Sequence, residues 1–116
     1  MYTVLPGMRR QPHGAIINIS SLADRSIRLN LSVYTASKAA IKSLTGSLRT
    51  ANASYGIRIC NLAPAKIQTP MMMTSGLQDN QMTPVENLAE TILWMYGQPQ
   101  KICIRDIVFT PTYYED

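Results

Sequence analysis

At 116 residues, with 46% apolar and 16% charged side chains, the chain makes one domain at most and has an ordinary globular composition. Its net charge of +4 raises the question of nucleic acid, but the basic residues are scattered and only Arg9 and Arg10 are adjacent, with no Lys/Arg cluster interleaved with aromatics. No apolar run approaches the roughly 20 residues that a membrane-spanning helix needs, so neither nucleic acid nor a membrane is expected as a partner.

Met1 to about Met8 reads as the tail of a helix, followed by a turn-rich loop from Arg9 to Gly14. Ala15–Ile19 is a strand, and its Ala-Ile-Ile run without polar alternation suits a parallel strand covered on both sides. A loop from Leu22 to Leu31 leads to a long helix, Ser32 to Tyr55. That helix carries Val33, Ala36, Ala40, Leu44 and Leu48 near helical spacing, and Gly56 is a natural C′ residue. Ile57–Ala63 is the second strand. Residues 64–82 are rich in Pro, Gly, Gln and Met, and Met71, Met72 and Met73 give them an adaptable apolar surface. Thr83-Pro84-Val85-Glu86 has the pattern of a capping box with proline at the first helical position. It opens a helix carrying Val85, Leu88, Ala89, Ile92 and Leu93, closed by Gly97 and Pro99. Ile102 to Thr110 supplies a last strand, and Pro111 to Asp116 a short polar tail. The alternation predicts a three-layer α/β fold with three parallel strands and right-handed crossovers.

Cys60 and Cys103 are far apart and flanked by apolar residues, with no C-x-x-C or Cys/His ligand spacing. No metal site is expected, and buried, reduced thiols in a cytoplasmic protein are the default. His13 stands in a Gln-Pro-His-Gly turn and is expected in solvent.

The chemistry concentrates elsewhere. Tyr34 and Lys38 are four residues apart in Tyr34-Thr35-Ala36-Ser37-Lys38, and Ser21 lies 13 positions before Tyr34. Helical residues i and i+4 share a face, so the phenol and the ammonium project into one site. A neighbouring positive charge favours the phenolate and lowers a tyrosine pKa from about 10. Such a tyrosine can give or take a proton, while a serine hydroxyl holds the substrate oxygen. Two strand-like runs deliver Ser20-Ser21 and Pro64-Ala65-Lys66-Ile67-Gln68-Thr69 at their C-terminal ends, where open α/β sheets place ligands.

Gly14-Ala15-Ile16-Ile17-Asn18-Ile19-Ser20-Ser21, Tyr34-Thr35-Ala36-Ser37-Lys38-Ala39-Ala40 and Gly56-Ile57-Arg58-Ile59-Cys60-Asn61-Leu62-Ala63-Pro64 follow one another as in the short-chain dehydrogenase/reductase family, which nearly the whole chain resembles. The resemblance implies a Rossmann-like fold and NAD(P)-dependent oxidoreduction of a small-molecule carbonyl or alcohol substrate. By the same resemblance Ser21 binds the substrate oxygen, Tyr34 is the acid/base, and Lys38 lowers its pKa and hydrogen-bonds the nicotinamide ribose. Pro64, Ile67 and Thr69 would line the nicotinamide site, and residues 64–82 would form a cofactor-facing turn and substrate lid. A homo-oligomer is implied, held through the long helix, the Ala15–Ile19 edge or both.

The chain departs from the family in ways that matter. Its glycines, at 7, 14, 46, 56, 76 and 97, form no G-x-x-x-G-x-G or G-x-G-x-x-G turn for a dinucleotide pyrophosphate. The upstream asparagines are missing too, so the chain resembles the C-terminal half of a reductase, beginning in mid-fold as a single partial domain. Ala65 replaces the usual glycine after Pro64, which predicts a shifted turn there. The Arg105-Asp106-Ile107-Val108-Phe109-Thr110 ending resembles the branch that acts on hydroxy acids or small carbonyl compounds with NADP. The residue that separates NADP from NAD lies outside the matched part. Two alternatives stay open: a catalytically inactive structural or assembly unit, and a Ser37-Lys38 hydrolase dyad, whose adjacent residues would not face each other.

Overall fold

The computed structural model describes residues 1, 3–25, 32–70 and 74–113. Three strands, β1 (Gly14–Ile19), β2 (Ile57–Pro64) and β3 (Asp106–Phe109), form one parallel sheet in the order β1-β2-β3. The register runs from Gly14 opposite Ile57 to Ile19 opposite Leu62, then from Asn61 opposite Asp106 to Pro64 opposite Phe109. Among the described residues three helices flank it: α1 (Leu5–Arg10), α2 (Ser32–Asn52) and α3 (Val85–Tyr96).

The side-chain alternation of β2 makes the layers. Ile57 and Ile59 point to one face and pack with Leu5, Met8, Ile16 and Leu48, which brings α1 and α2 to that side. Cys60 and Leu62 point to the other and pack with Met95, Leu88, Ile92 and Ile107, which brings α3 there. The expected three-layer α/β architecture is thus present as part of a Rossmann-like fold. Every residue of β2 is buried, because it alone has a strand on each side and helices on both faces. Ile59 and Leu62, at 0% exposure, each contribute about 1.5–3 kcal/mol by leaving water. The sequence predicts β1 covered on both faces with one edge unpaired. It is only half-buried, with Ile19 exposed, because it is an edge strand of the described sheet.

Helix α2 turns a different side to the sheet than its apolar pattern suggests. Val33, Ala36, Ala40 and Leu44 face outward, Val33 being 82% exposed, and only Leu48 of that stripe joins the core. The inner side is polar and tightly bonded instead. Thr45 accepts a hydrogen bond from Asn18 Nδ2 (2.8 Å) and donates to Ile41 O (2.7 Å). Asn52 accepts from Arg9 Nε (2.7 Å) and donates to Leu48 O (2.7 Å). Arg49 donates to Ile59 O (2.7 Å) and Arg105 O (2.8 Å), tying the helix to both β2 and the approach to β3. The helix gives way to a 3-10 turn at Ala53–Tyr55, and Gly56 leaves it at φ 70°, where a Cβ would sit 3.1 Å from Pro12 O.

Two further expectations are corrected. Helix α3 has Pro84 as its N-cap with no side-chain cap, because Thr83 stays extended: its N–H donates to Lys66 O and its carbonyl accepts from Gln68 N. At the other end the buried Arg58 donates to Tyr96 O (3.2 Å) and Gln98 O (3.1 Å), satisfying terminal carbonyls. β3 spans only Asp106–Phe109, not Ile102–Thr110, since the chain is still turning at Pro99–Ile102 and first bonds β2 through Arg105 O. Residues 71–73, and with them the methionine run, lie outside the described residues, as do 114–116 of the tail and 26–31 of the loop before α2.

Candidate active site

Ser20 N extends the ladder past β1 by donating to Leu62 O (2.7 Å). Ser21 follows in an extended conformation and caps a 3-10 turn, Leu22–Asp24, its Oγ accepting from Ala23 N (3.2 Å). Its carbonyl accepts from Asp24 N (2.9 Å), so the serine is fixed at both backbone and side chain. Tyr34 and Lys38 occupy the first turns of α2 on one face, as their spacing predicts. The Lys38 ammonium stands 5.6 Å from the centre of the Tyr34 ring, which is 44% exposed. Ser37 Oγ donates to Tyr34 O (2.7 Å). Its hydroxyl is therefore committed to its own helix backbone, which argues against a Ser37-Lys38 nucleophile.

At the end of β2, Pro64 is buried while Ile67 and Thr69 are half-buried. The turn they form is held on two sides. Ala65 N donates to Phe109 O (2.9 Å), Gln68 N donates to Thr83 O (2.7 Å), and Ile67 bridges Thr83 in parallel. Ala65 keeps a negative φ; the left-handed residue is its neighbour Lys66, at φ 55°. A side chain in that region costs of order 1–3 kcal/mol, which the flanking hydrogen bonds must offset. Ser21 and Pro64–Thr69 thus sit at the C-terminal ends of adjacent strands, the position at which open α/β sheets bind ligands.

A charge network beneath the serine turn escaped the sequence. Arg25 Nε donates to Asp24 Oδ1 (2.6 Å), and the Arg25 guanidinium forks onto Asp106 at 2.6 and 2.9 Å. Asn61 Nδ2 donates to both carboxylates at 3.0 Å. Burial pushes the Asp24 carboxyl up, but hydrogen bonds from Arg25 and Asn61 with the Arg25 charge outweigh it, leaving it below the usual carboxylate range. Hydrogen bonding from Arg25 likewise holds Asp106 low against a smaller burial effect. The two carboxylates in turn hold Arg25 above its ordinary value, Asp106 most strongly. No local pattern could have announced this, because Arg25 and Asp106 are 81 residues apart.

An open depression of about 570 Å³ lies on the outer side of α2, lined by Asp24, Lys42, Ser43 and Gly46 among others, and by none of Ser21, Tyr34 or Lys38. A second hollow, about 390 Å³, opens between Phe109–Tyr113 and the start of α3, with the Thr83 hydroxyl buried at its edge. His13 is exposed, as expected. Among the described residues no group of His, Cys, Asp and Glu is placed to hold a metal, and no helix is long and apolar enough to cross a membrane.

Comparison with known proteins agrees with this layout. Residues 1–80 match the short chain dehydrogenase family. An uncharacterised oxidoreductase of Staphylococcus saprophyticus is 29% identical over 108 residues, covering 93% of this chain and 46% of that protein. One of Staphylococcus aureus is 27% identical over 107 residues, with 92% and 46% covered. The chain therefore spans about half the length of the curated relatives it matches. Among solved structures, a betaketoacyl-ACP reductase from Bacteroides thetaiotaomicron superposes with a TM-score of 0.81 at 30% identity, over 96% of this chain and 47% of that one. The serine dehydrogenase of Escherichia coli gives 0.84 at 25% identity, over 99% and 48%. With β1, β2, the strand-end serine and the Tyr34/Lys38 pair all in the matched region, the chain belongs to the short chain dehydrogenase family.

Proposed function

We propose that this chain is the substrate-facing, C-terminal part of an NAD(P)-dependent oxidoreductase in which Tyr34 exchanges a proton with a carbonyl or alcohol oxygen. The observation that carries the reading is the Tyr34/Lys38 pair, an exposed phenol with a cation 5.6 Å from its ring centre. Lys38 places positive charge where negative charge develops as the phenol proton leaves. Ser21, fixed at the end of β1, supplies a hydroxyl to orient the substrate oxygen. A bound NADP or NAD supplies or accepts the hydride. The turn at Pro64, Ile67 and Thr69 suits its nicotinamide end, offering a half-buried apolar wall with one hydroxyl on a backbone held from both sides. Tyr34 and Lys38 complete that end of the site.

The second reading, a catalytically inactive structural unit, draws on the lack of any glycine-rich turn for the pyrophosphate in these 116 residues. Nicotinamide fluorescence separates the two. Saturable binding of NADPH or NADH, weakened at least tenfold by Lys38→Ala, is expected for the enzyme, and the preferred nucleotide names the cofactor. Absence of binding by both, with α2 shown to be folded by circular dichroism, favours the structural unit.

We also read the protein as a cytoplasmic homo-oligomer. Val33 and Leu44 on the outer side of α2, 82% and 45% exposed, and the edge of β1 are surfaces that a second copy would cover. In sedimentation equilibrium at micromolar concentration, self-association is expected. A single 12.9 kDa species at every concentration would defeat it.

A further inference from the structure

Cys60 and Cys103 are separated by 43 residues, yet their sulfurs lie 3.9 Å apart, and both are free thiols. Cys60 stands in the middle of β2 and is 3% exposed. Cys103 lies on the irregular approach to β3 and is half-buried, so a small solute reaches it first. Leu62, Met95, Ile92 and Ile104 surround the pair, and the Cys103 thiol points toward Ile59 O at 3.7 Å. The backbones are already neighbours here, since Asn61 N, one residue on from Cys60, donates to Arg105 O at 2.9 Å. We propose that Cys60 and Cys103 are a redox-active pair that a small hydroperoxide converts to an intramolecular disulfide.

A disulfide needs an S–S separation of about 2.05 Å, so the sulfurs must approach by roughly 2 Å. Cys103 can supply that movement, because residues 102–105 belong to no strand. The chemistry balances in two steps. The Cys103 thiolate attacks the peroxide O–O bond, giving a sulfenic acid and one water. The Cys60 sulfur then attacks Cys103 Sγ, expelling a second water as the S–S bond forms. Two thiols are oxidised and one peroxide is reduced. Burial and the adjacent Cys103 push the Cys60 thiol up to about 12, against a smaller opposite pull from Arg58 and Arg49. The less buried Cys103 therefore reacts first and the buried Cys60 resolves.

The test is stoichiometric hydrogen peroxide followed by non-reducing peptide mapping of the intact chain. A Cys60–Cys103 cross-linked peptide, abolished by dithiothreitol, is the expected main product. Cys103→Ser should leave Cys60 reduced, while Cys60→Ala should stop Cys103 at a sulfenic acid that dimedone traps, and a second equivalent of peroxide should carry it on to sulfinic acid. A persistent, dimedone-trapped sulfenic acid at Cys103, or its sulfinic acid with further peroxide, with Cys60 untouched in the unsubstituted protein would overturn the proposal. Cross-linking between chains in place of the internal bond would do the same. The unsubstituted protein gives this answer even if a core variant fails to fold.

Discussion

Tyr34→Phe lowers kcat by about 10²- to 10⁴-fold in any catalytically competent form of the protein, the range that positioned general acid–base groups contribute. Cofactor affinity changes little. The reason is geometric: phenylalanine keeps the ring against which Lys38 stands at 5.6 Å, and removes only the hydroxyl proposed to exchange the proton. Lys38→Ala behaves differently, losing turnover and nucleotide affinity together, because one ammonium serves both the phenol and the ribose in the proposed site. Steady-state kinetics with a fluorescence Kd for each variant checks the pair. Turnover of Tyr34→Phe equal to that of the unsubstituted protein removes Tyr34 from the mechanism.

Arg25→Ala destabilises the fold by about 2–4 kcal/mol near neutral pH, a value below the full cost of stripping a partner from a buried charge. The reduction reflects partial exposure of the pair, 23% for the Arg25 side chain and 34% for Asp106. Asp24 suffers most, since its side chain is 0% exposed and keeps only Asn61 among the charge-network donors when Arg25 goes. Acid exposes the same dependence. Both carboxyls are held below their ordinary values, so their stabilisation is complete above the unfolded carboxylate pKa of about 4 and disappears as pH falls through the lowered folded values. Arg25→Ala removes the largest of the contacts that lower both carboxyls, so its deficit against the unsubstituted protein is greatest near pH 7 and narrows as pH falls toward 4. Arg25→Lys retains the charge but not the two-pronged contact, and should fall between the two. Urea midpoints at pH 7 and pH 4 decide it: if all three proteins share both midpoints, the network contributes nothing measurable.

Ser21 lies on the turn that this network anchors, and the serine itself was legible in the sequence while its anchor was not. The same division runs through the molecule. Tyr34 and Lys38 could be placed on one face because helical periodicity is local, and the alternation of strands and helices was enough to predict parallel strands in three layers. The apolar stripe of α2 misled: Val33, Ala36, Ala40 and Leu44 follow helical spacing but face outward, and Thr45, Leu48 and Asn52 face in. Spacing identifies an apolar side of a helix, and says nothing of which neighbour covers it. Likewise Thr83 has the composition of a cap, but backbone bonds to Lys66 and Gln68 hold it extended.

What the sequence determined by itself is whatever a few consecutive residues enforce: the strands, the helices, the order of the family's motifs and the shared face of Tyr34 and Lys38. The tertiary structure alone decided that Arg25 would clamp Asp106, that Arg58 would close α3, and that Cys60 would meet Cys103. These contacts join residues 38 to 81 positions apart. Their partners are chosen when β2 becomes the central strand and draws β1 and β3 to its sides, a choice that local propensity does not contain.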